Sequence, residues 1–137
     1  MAKPTMAQRV AALKEIPLFE GLSQRSLQRI VRMSTEVDIP AGQVLVTPRA
    51  EGSGMFIIEE GTVEVDKLGR KMELGPGQFF GELALLTSTT RTARVRSKTP
   101  VRCLAINRTD FQKLLTSEPK IAISMLEVLA QRLAESP

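Results

Sequence analysis

Hydrophobic and polar positions change their spacing twice along the chain. Near the N-terminus, Val10 and Leu13 follow the spacing of a helix, and a second helix is predicted from Ser23 through Met33. Ser23 is a predicted N-cap, because its hydroxyl can accept a hydrogen bond from a free amide of the first turn. Residues 5–34 are therefore predicted to be helical.

Between residues 36 and 106 the pattern changes to short apolar and β-branched runs separated by glycine and proline. Such runs are typical of strands joined by tight turns. The predicted strands are Glu36–Ile39, Gln43–Val46, Met55–Glu59, Thr62–Val65, Met72–Leu74, Gln78–Phe79, Thr92–Ser97 and Val101–Ala105. Eight short strands predict a β jelly roll.

Helical spacing returns over residues 107–135, where Asn107 is a predicted N-cap and Pro119 is predicted to start the last helix. The apolar stripe of that helix contains Ile121, Met125, Val128 and Leu129. Leu126 and Leu133 make it wider than a solvent-exposed helix needs. Docking on the roll accounts for the stripe; a lid over a ligand and a seam between two copies are the functional alternatives.

Length and composition predict one globular domain over residues 1–137, and the pattern of helices and strands predicts that it is mainly β with flanking helices. The chain is 42% hydrophobic and 25% charged, an ordinary balance for a globular protein. No apolar run approaches the roughly 20 residues of a membrane span, and the first six residues lack the apolar stretch of a signal peptide. A cytoplasmic location is therefore expected.

Several classes of chemistry are disfavoured by what the sequence lacks. It contains no histidine, the commonest general base and transition-metal ligand, so no catalytic residues, metal or cofactor are predicted. Its one cysteine, Cys103, lies in an apolar run and is predicted to be a buried, unreactive thiol. The net charge is +4, but without Trp or Tyr for base stacking we expect no direct nucleic-acid binding.

The candidate chemistry lies in one segment that begins with Phe80-Gly81-Glu82-Leu83-Ala84. If the chain turns at Gly81 and starts a helical turn, the free amides of Leu83 and Ala84 point outward from the positive end of a helix dipole. Such a helix start binds anions, phosphate in particular. Gly81 allows the backbone to approach the ligand closely.

Arg91 follows this turn and leads into a predicted strand. Its guanidinium can donate two parallel hydrogen bonds to phosphate oxygens, and the Glu82 carboxylate can accept hydrogen bonds from a sugar hydroxyl. Small Ala84 and Ala93 leave room for a ligand near the backbone. A group that binds an anion, beside one that accepts a hydrogen bond from a hydroxyl, suits a ribose phosphate.

The segment from Phe80 to Leu86, four spacer residues, and then Arg91 to Val95 together resemble the phosphate-binding cassette of the cyclic-nucleotide-binding domains. That family includes the catabolite activator protein, the regulatory subunit of cAMP-dependent protein kinase and the cyclic-nucleotide-gated channels. The resemblance implies a non-enzymatic regulatory module for signal transduction that binds cAMP or cGMP, with N-terminal helices, a short phosphate-binding helix and C-terminal lid helices.

The resemblance also implies roles for individual residues. Glu82 and the Gly81 backbone would hold the ribose 2′-hydroxyl, Arg91 would pair with the exocyclic phosphate oxygens, and Thr92 would contact the phosphate or a guanine edge. The implied ligand-binding residues are Phe80, Gly81, Glu82, Leu83, Ala84, Arg91, Thr92 and Ala93. Arg94 departs from the family pattern, and strand alternation predicts that it points away from the pocket.

The remaining expectations concern the output. The last helix is predicted to close over the purine, with lid residues Met125, Leu129, Gln131 and Arg132. An attached or partner effector domain is expected to read that movement, and a homodimer through the same helix is a further interpretation. The alternative function is a degenerate jelly roll that binds a protein partner without nucleotide.

Overall fold

The computed structural model describes residues 4–46, 54–81 and 93–135. Its helices are α1 (Met6–Lys14), a short 3-10 helix (Pro17–Phe19), α2 (Gln24–Met33), α3 (Arg108–Ser117) and α4 (Pro119–Glu135). Its strands are β1 (Thr35–Ile39), β2 (Val44–Val46), β3 (Gly54–Glu60), β4 (Val63–Lys67), β5 (Arg70–Leu74), β6 (Phe79–Phe80), β7 (Arg94–Ser97) and β8 (Val101–Asn107). Among the helices in these ranges, none combines the length and apolar character needed to cross a bilayer.

Local side-chain chemistry fixes the helix ends. The Ser23 hydroxyl accepts a hydrogen bond from the Ser26 amide at 3.1 Å, and the Asn107 side chain accepts one from the Asp110 amide at 2.9 Å. Both predicted N-caps are therefore confirmed. Pro119 begins α4, as predicted. Amides in the first turn of a helix have no acceptor within the helix, so a proline, which lacks the amide hydrogen, loses no hydrogen bond there.

Eight described strands form two antiparallel sheets of four. The first has the order β1-β8-β3-β6 and the second the order β2-β7-β4-β5. This confirms the predicted jelly roll with flanking helices, and the strand bounds differ from the predicted ones by one or two residues. Neighbours in each sheet are often distant in sequence, as β1 and β8 are, so the roll depends on long-range pairing.

Two hydrophobic cores lie on opposite faces of the first sheet. On β3, Met55 and Ile57 pack in the helix-side core, whereas Ile58 packs inside the roll. The helix-side core also includes residues of α1 to α4, among them Leu13, Ile30, Phe111 and Ile121. Among the described residues, the roll interior contains Ile39, Ile58, Val63, Leu74, Phe80, Val95, Val101 and Cys103. The helices therefore pack against the outside of the roll.

Candidate functional site

The predicted cassette begins at β6, where two adjacent phenylalanines point to opposite sides of the sheet. Phe79 packs in the helix-side core and Phe80 in the roll interior; both are buried. The Phe80 ring stacks on that of Phe56, with centroids 5.1 Å apart and 17° between the planes. Gly81 follows with a φ of +89°, a backbone conformation that favours glycine. The chain therefore turns at Gly81, as the sequence analysis requires.

The other end of the cassette enters the second sheet. Ala93 is half-buried and precedes β7, where Val95 is buried in the roll and Arg94 is exposed. The prediction that Arg94 points away from the interior is confirmed. Since β6 belongs to the first sheet and β7 to the second, the ends of the cassette are held by different sheets.

Five predicted ligand-binding residues lie outside the described residues. They are Glu82, Leu83, Ala84, Arg91 and Thr92. Their roles stay predictions, as does the short phosphate-binding helix. The structure describes the predicted site only at the two ends of the cassette, which are Phe80 and Gly81 at its start and Ala93 near its end.

The last turns of α4 reach the start of the cassette through Arg132. Its Nη2 donates a hydrogen bond of 2.7 Å to the Phe79 carbonyl oxygen. The same guanidinium lies over the Phe79 ring, with its central carbon 4.7 Å from the ring centroid. A cation above an aromatic face is attracted by the electron density of the ring. Arg132 thus binds both the backbone and the side chain of one residue of β6.

The other predicted lid residues have different surroundings. Met125 is 3% exposed and lies in the helix-side core, and Leu129 packs partly buried against that core. Gln131 is exposed and donates a hydrogen bond to Glu135 at 2.8 Å. Of these four residues, Arg132 is the one for which a contact with β6 is described.

Cys103 lies inside the roll and has no accessible surface. Burial, and secondarily the negative charge of Glu59, raises the pKa of its thiol to about 12. The thiolate is the reactive form of cysteine, so this side chain acts as a small hydrophobic group. Its burial agrees with the prediction from sequence.

Comparison with known proteins decides the family. Residues 36–118 match the model of the cyclic nucleotide-binding domain. The chain belongs to the cyclic nucleotide-binding domain family.

Its relatives in this family include a potassium channel and a protein kinase regulatory subunit. A cyclic nucleotide-gated potassium channel of Rhizobium etli is 38% identical over 122 residues, 89% of this chain and 34% of the channel. A cAMP-dependent protein kinase regulatory subunit of Schizosaccharomyces pombe is 32% identical over 105 residues, 75% of this chain and 26% of that protein. The chain thus spans about a third of the channel's length.

Among solved structures, the catabolite activator protein of Thermus thermophilus superposes with a TM-score of 0.77 at 29% identity, over 87% of this chain and 59% of that one. The likeness extends from the sheets to the flanking helices, since it covers most of the chain. It identifies the roll and its helices as the fold of a cyclic nucleotide-binding regulatory module.

In this cyclic nucleotide-binding domain, sequence reasoning missed two features of the cassette's surroundings. Phe79 was not a predicted site residue, although it is the contact of Arg132. Leu45, Phe56 and Val65 pack against the roll interior but remain partly accessible. Strand alternation places Phe56 on the same face as buried Ile58, and this was the one signal that could have found it.

Proposed function

We propose that this chain binds cAMP or cGMP at the cassette and transmits binding through α4. The observation that carries the proposal is the contact of Arg132 with Phe79, because it joins the end of α4 to the strand from which the cassette starts. A ligand that draws the cassette inward would act on Phe79, and α4 would respond. The free energy of ligand binding would then shift the equilibrium between two positions of α4.

The phosphate and ribose would be held by the residues that the sequence analysis singled out. Arg91 would pair with the exocyclic phosphate oxygens, the Glu82 carboxylate would accept hydrogen bonds from the ribose, and Thr92 would contact the phosphate or a guanine edge. The amides that follow Gly81 would complete the anion site. The positive φ of Gly81 supports the sharp turn on which this arrangement depends.

The base would contact the accessible apolar side of the roll. Leu45, Phe56 and Val65 are partly buried next to the fully packed interior, and Phe80 stacks on Phe56. Ligand pockets are lined mainly by such apolar and aromatic groups, with a few polar groups that set orientation. α4 would supply the lid, with Leu129, Gln131 and Arg132 near its end.

Calorimetric titration of the chain with cAMP and with cGMP tests this proposal. We expect saturable heat with at least one nucleotide. Arg91→Ala should weaken binding by about 2–5 kcal/mol, because a charge-assisted pair with the phosphate is lost. Arg94→Ala is the matched control: the same change in the same segment, at an exposed side chain, should leave affinity unchanged. The absence of heat at millimolar nucleotide would favour the degenerate interaction module.

A second copy of the chain is the proposed occupant of the exposed face of α4. Ile123, Leu126 and Leu133 are 56%, 66% and 76% exposed. With Ala130 they repeat at intervals of three and four residues, the a/d spacing by which two identical helices form a coiled-coil seam. Leu126→Glu should lower the mass measured by sedimentation from dimer to monomer. A wild-type monomer at high micromolar concentration would contradict this pairing.

The output is proposed to reside in an effector domain, attached or separate, and the chain itself to be non-enzymatic. A glutaminase of Bradyrhizobium diazoefficiens is 34% identical over 124 residues, but these make up only 20% of that protein. The same kind of module therefore occurs with different outputs. A cytoplasmic location stays a prediction, supported by the single buried cysteine.

A further inference from the structure

Glu59 occupies an irregular position on β3. Ile58 pairs with Cys103 and Glu60 pairs with Arg102 on β8, so Glu59 is an extra residue between two adjacent partners. Such a β-bulge leaves the extra residue without a partner in the ladder. By strand alternation the Glu59 carboxylate shares the face of Met55 and Ile57, which is the helix side of the sheet.

The Glu59 side chain points into a cleft between α1 and the first sheet. The cleft has a volume of about 510 Å³, and its lining includes Arg9, Glu15 and Ile16 from the α1 region, Glu36 of β1 and Glu59. Oε1 of Glu59 is buried and has no hydrogen-bond partner among the described residues. A charged oxygen in that position loses hydration without a matching hydrogen bond.

The charged groups around Glu59 come from every element that packs there. They are Arg9 and Glu15 from α1 and its C-terminal end, Glu36 and Asp38 of β1, Glu60 of β3, and Arg102 of β8. Carboxylates outnumber the two guanidinium groups, and other carboxylates already engage both of these.

Arg102 lies 3.0 Å from Asp38 and 3.4 Å from Glu36. Arg9 lies 3.9 Å from the other oxygen of Glu36. Burial, then the charge of Glu36, outweigh the attraction of the two arginines and raise the pKa of Glu59 to about 6.

We propose that Glu59 is a proton-controlled latch for α1: the neutral carboxyl favours the helix docked on the first sheet, and the carboxylate favours its release. Release would hydrate the carboxyl and relieve its repulsion with Glu36. The latch does not rest on the proposed nucleotide site, because Glu59 and the charged groups around it lie outside the cassette.

The direction of the pH effect follows from the raised pKa. Below the ordinary value of about 4.5, Glu59 is neutral in both states and docking is strongest. As the pH rises from there to about 6, the released form ionises first and docking weakens; above about 6 both forms are charged and the effect is constant. Because the carboxyl is only partly buried, we expect release to rise about two- to eightfold between pH 5 and 7.

Hydrogen exchange of the α1 amides measures this equilibrium. The amides of buried Val10 and Leu13 report opening of α1 once exchange rates are corrected for intrinsic pH dependence. In the wild-type chain, the opening constant should rise as stated between pH 5 and 7. In Glu59→Gln, a neutral side chain of nearly the same shape, it should stay near the low-pH value throughout.

Glu60→Gln is the matched control, since Glu60 is the next residue and its side chain is 72% exposed. This variant should keep the rise in α1 opening between pH 5 and 7 with only a small shift of its midpoint, because Glu60 is the weakest of the charges that act on the pKa of Glu59. An unchanged pH dependence in Glu59→Gln, or none in the wild type, would overturn the proposal. If Glu59→Gln does not fold, carboxyl carbon shifts of the wild type decide: a midpoint near 6 supports the latch, and one near 4.5 overturns it.

Discussion

Replacing Arg132 by alanine should loosen the end of α4 without unfolding the chain. The substitution removes the 2.7 Å hydrogen bond to the Phe79 carbonyl and the guanidinium that lies over its ring. The first half of α4 does not depend on these contacts, because Ile121 and Met125 are buried in the helix-side core. We therefore expect a local effect, confined to the last turns.

The size of the effect follows from the two contacts. A hydrogen bond from a charged donor contributes about 1.5–3 kcal/mol, and a cation–π contact at a partly exposed site about 0.5–1 kcal/mol. Arg132 is half-buried and near a helix end, so the low end of both ranges applies. The loss of about 2 kcal/mol corresponds to a roughly 30-fold larger opening constant for the final turns.

Native-state hydrogen exchange resolves this change along the helix. Amides of Val128 to Ala134 should exchange about 30-fold faster in Arg132→Ala, whereas the amide of Met125 should not change. Glu127→Ala is the control, since it shortens an exposed charged side chain on the same helix. Unchanged exchange at the end of α4, or equal acceleration along its whole length, would refute the coupling of this helix to β6.

Two further predictions concern the roll itself. A Cβ at Gly61, whose φ is +90°, would lie 2.2 Å from the Pro100 carbonyl oxygen, so Gly61→Ala should lower the free energy of unfolding in urea by more than about 3 kcal/mol. Gly69 has a similar φ of +84° but nothing within 4 Å of a Cβ, so Gly69→Ala should cost only about 1 kcal/mol, and equal losses would contradict this reasoning. Because the pKa of the buried Cys103 thiol is raised to about 12, it should resist a disulfide reagent at pH 8 until urea unfolds the chain; rapid labelling of the native protein would refute its burial.

Local patterns in the sequence predicted most of the fold. Helices α2 and α3 carry their own caps, Ser23 and Asn107, and each cap accepts a hydrogen bond from an amide three residues away. Each strand is a short apolar run bounded by turn residues, so its position could be predicted without its partner. The order of the strands within the sheets could not be predicted in this way, because β1 pairs with β8 over intervals of 62 to 70 residues.

The same distinction applies to the site. The cassette is a continuous segment, so its residue types and spacing indicated a phosphate and ribose site. The Arg132 contact joins positions 53 residues apart and depends on how α4 packs. Strand alternation places Glu59 on the face of Met55 and Ile57, but it cannot predict that α1 packs against that face and encloses the carboxylate.

Strand β3 has residues on both faces of the first sheet, so the Glu59 latch and the proposed nucleotide site can be tested separately. Phe56 of β3 stacks on Phe80 inside the roll, while Ile57 packs among the helices and Glu59 points toward α1. Changes at Glu59 therefore act on one face of the sheet, and a ligand near Phe56 acts on the other. If nucleotide nevertheless altered the pH dependence of α1 opening, the change would have to pass through β3 or through the helix-side core that Phe79 and α4 share with α1. Measuring α1 exchange with and without nucleotide, in the wild type and in Arg132→Ala, would distinguish these two routes.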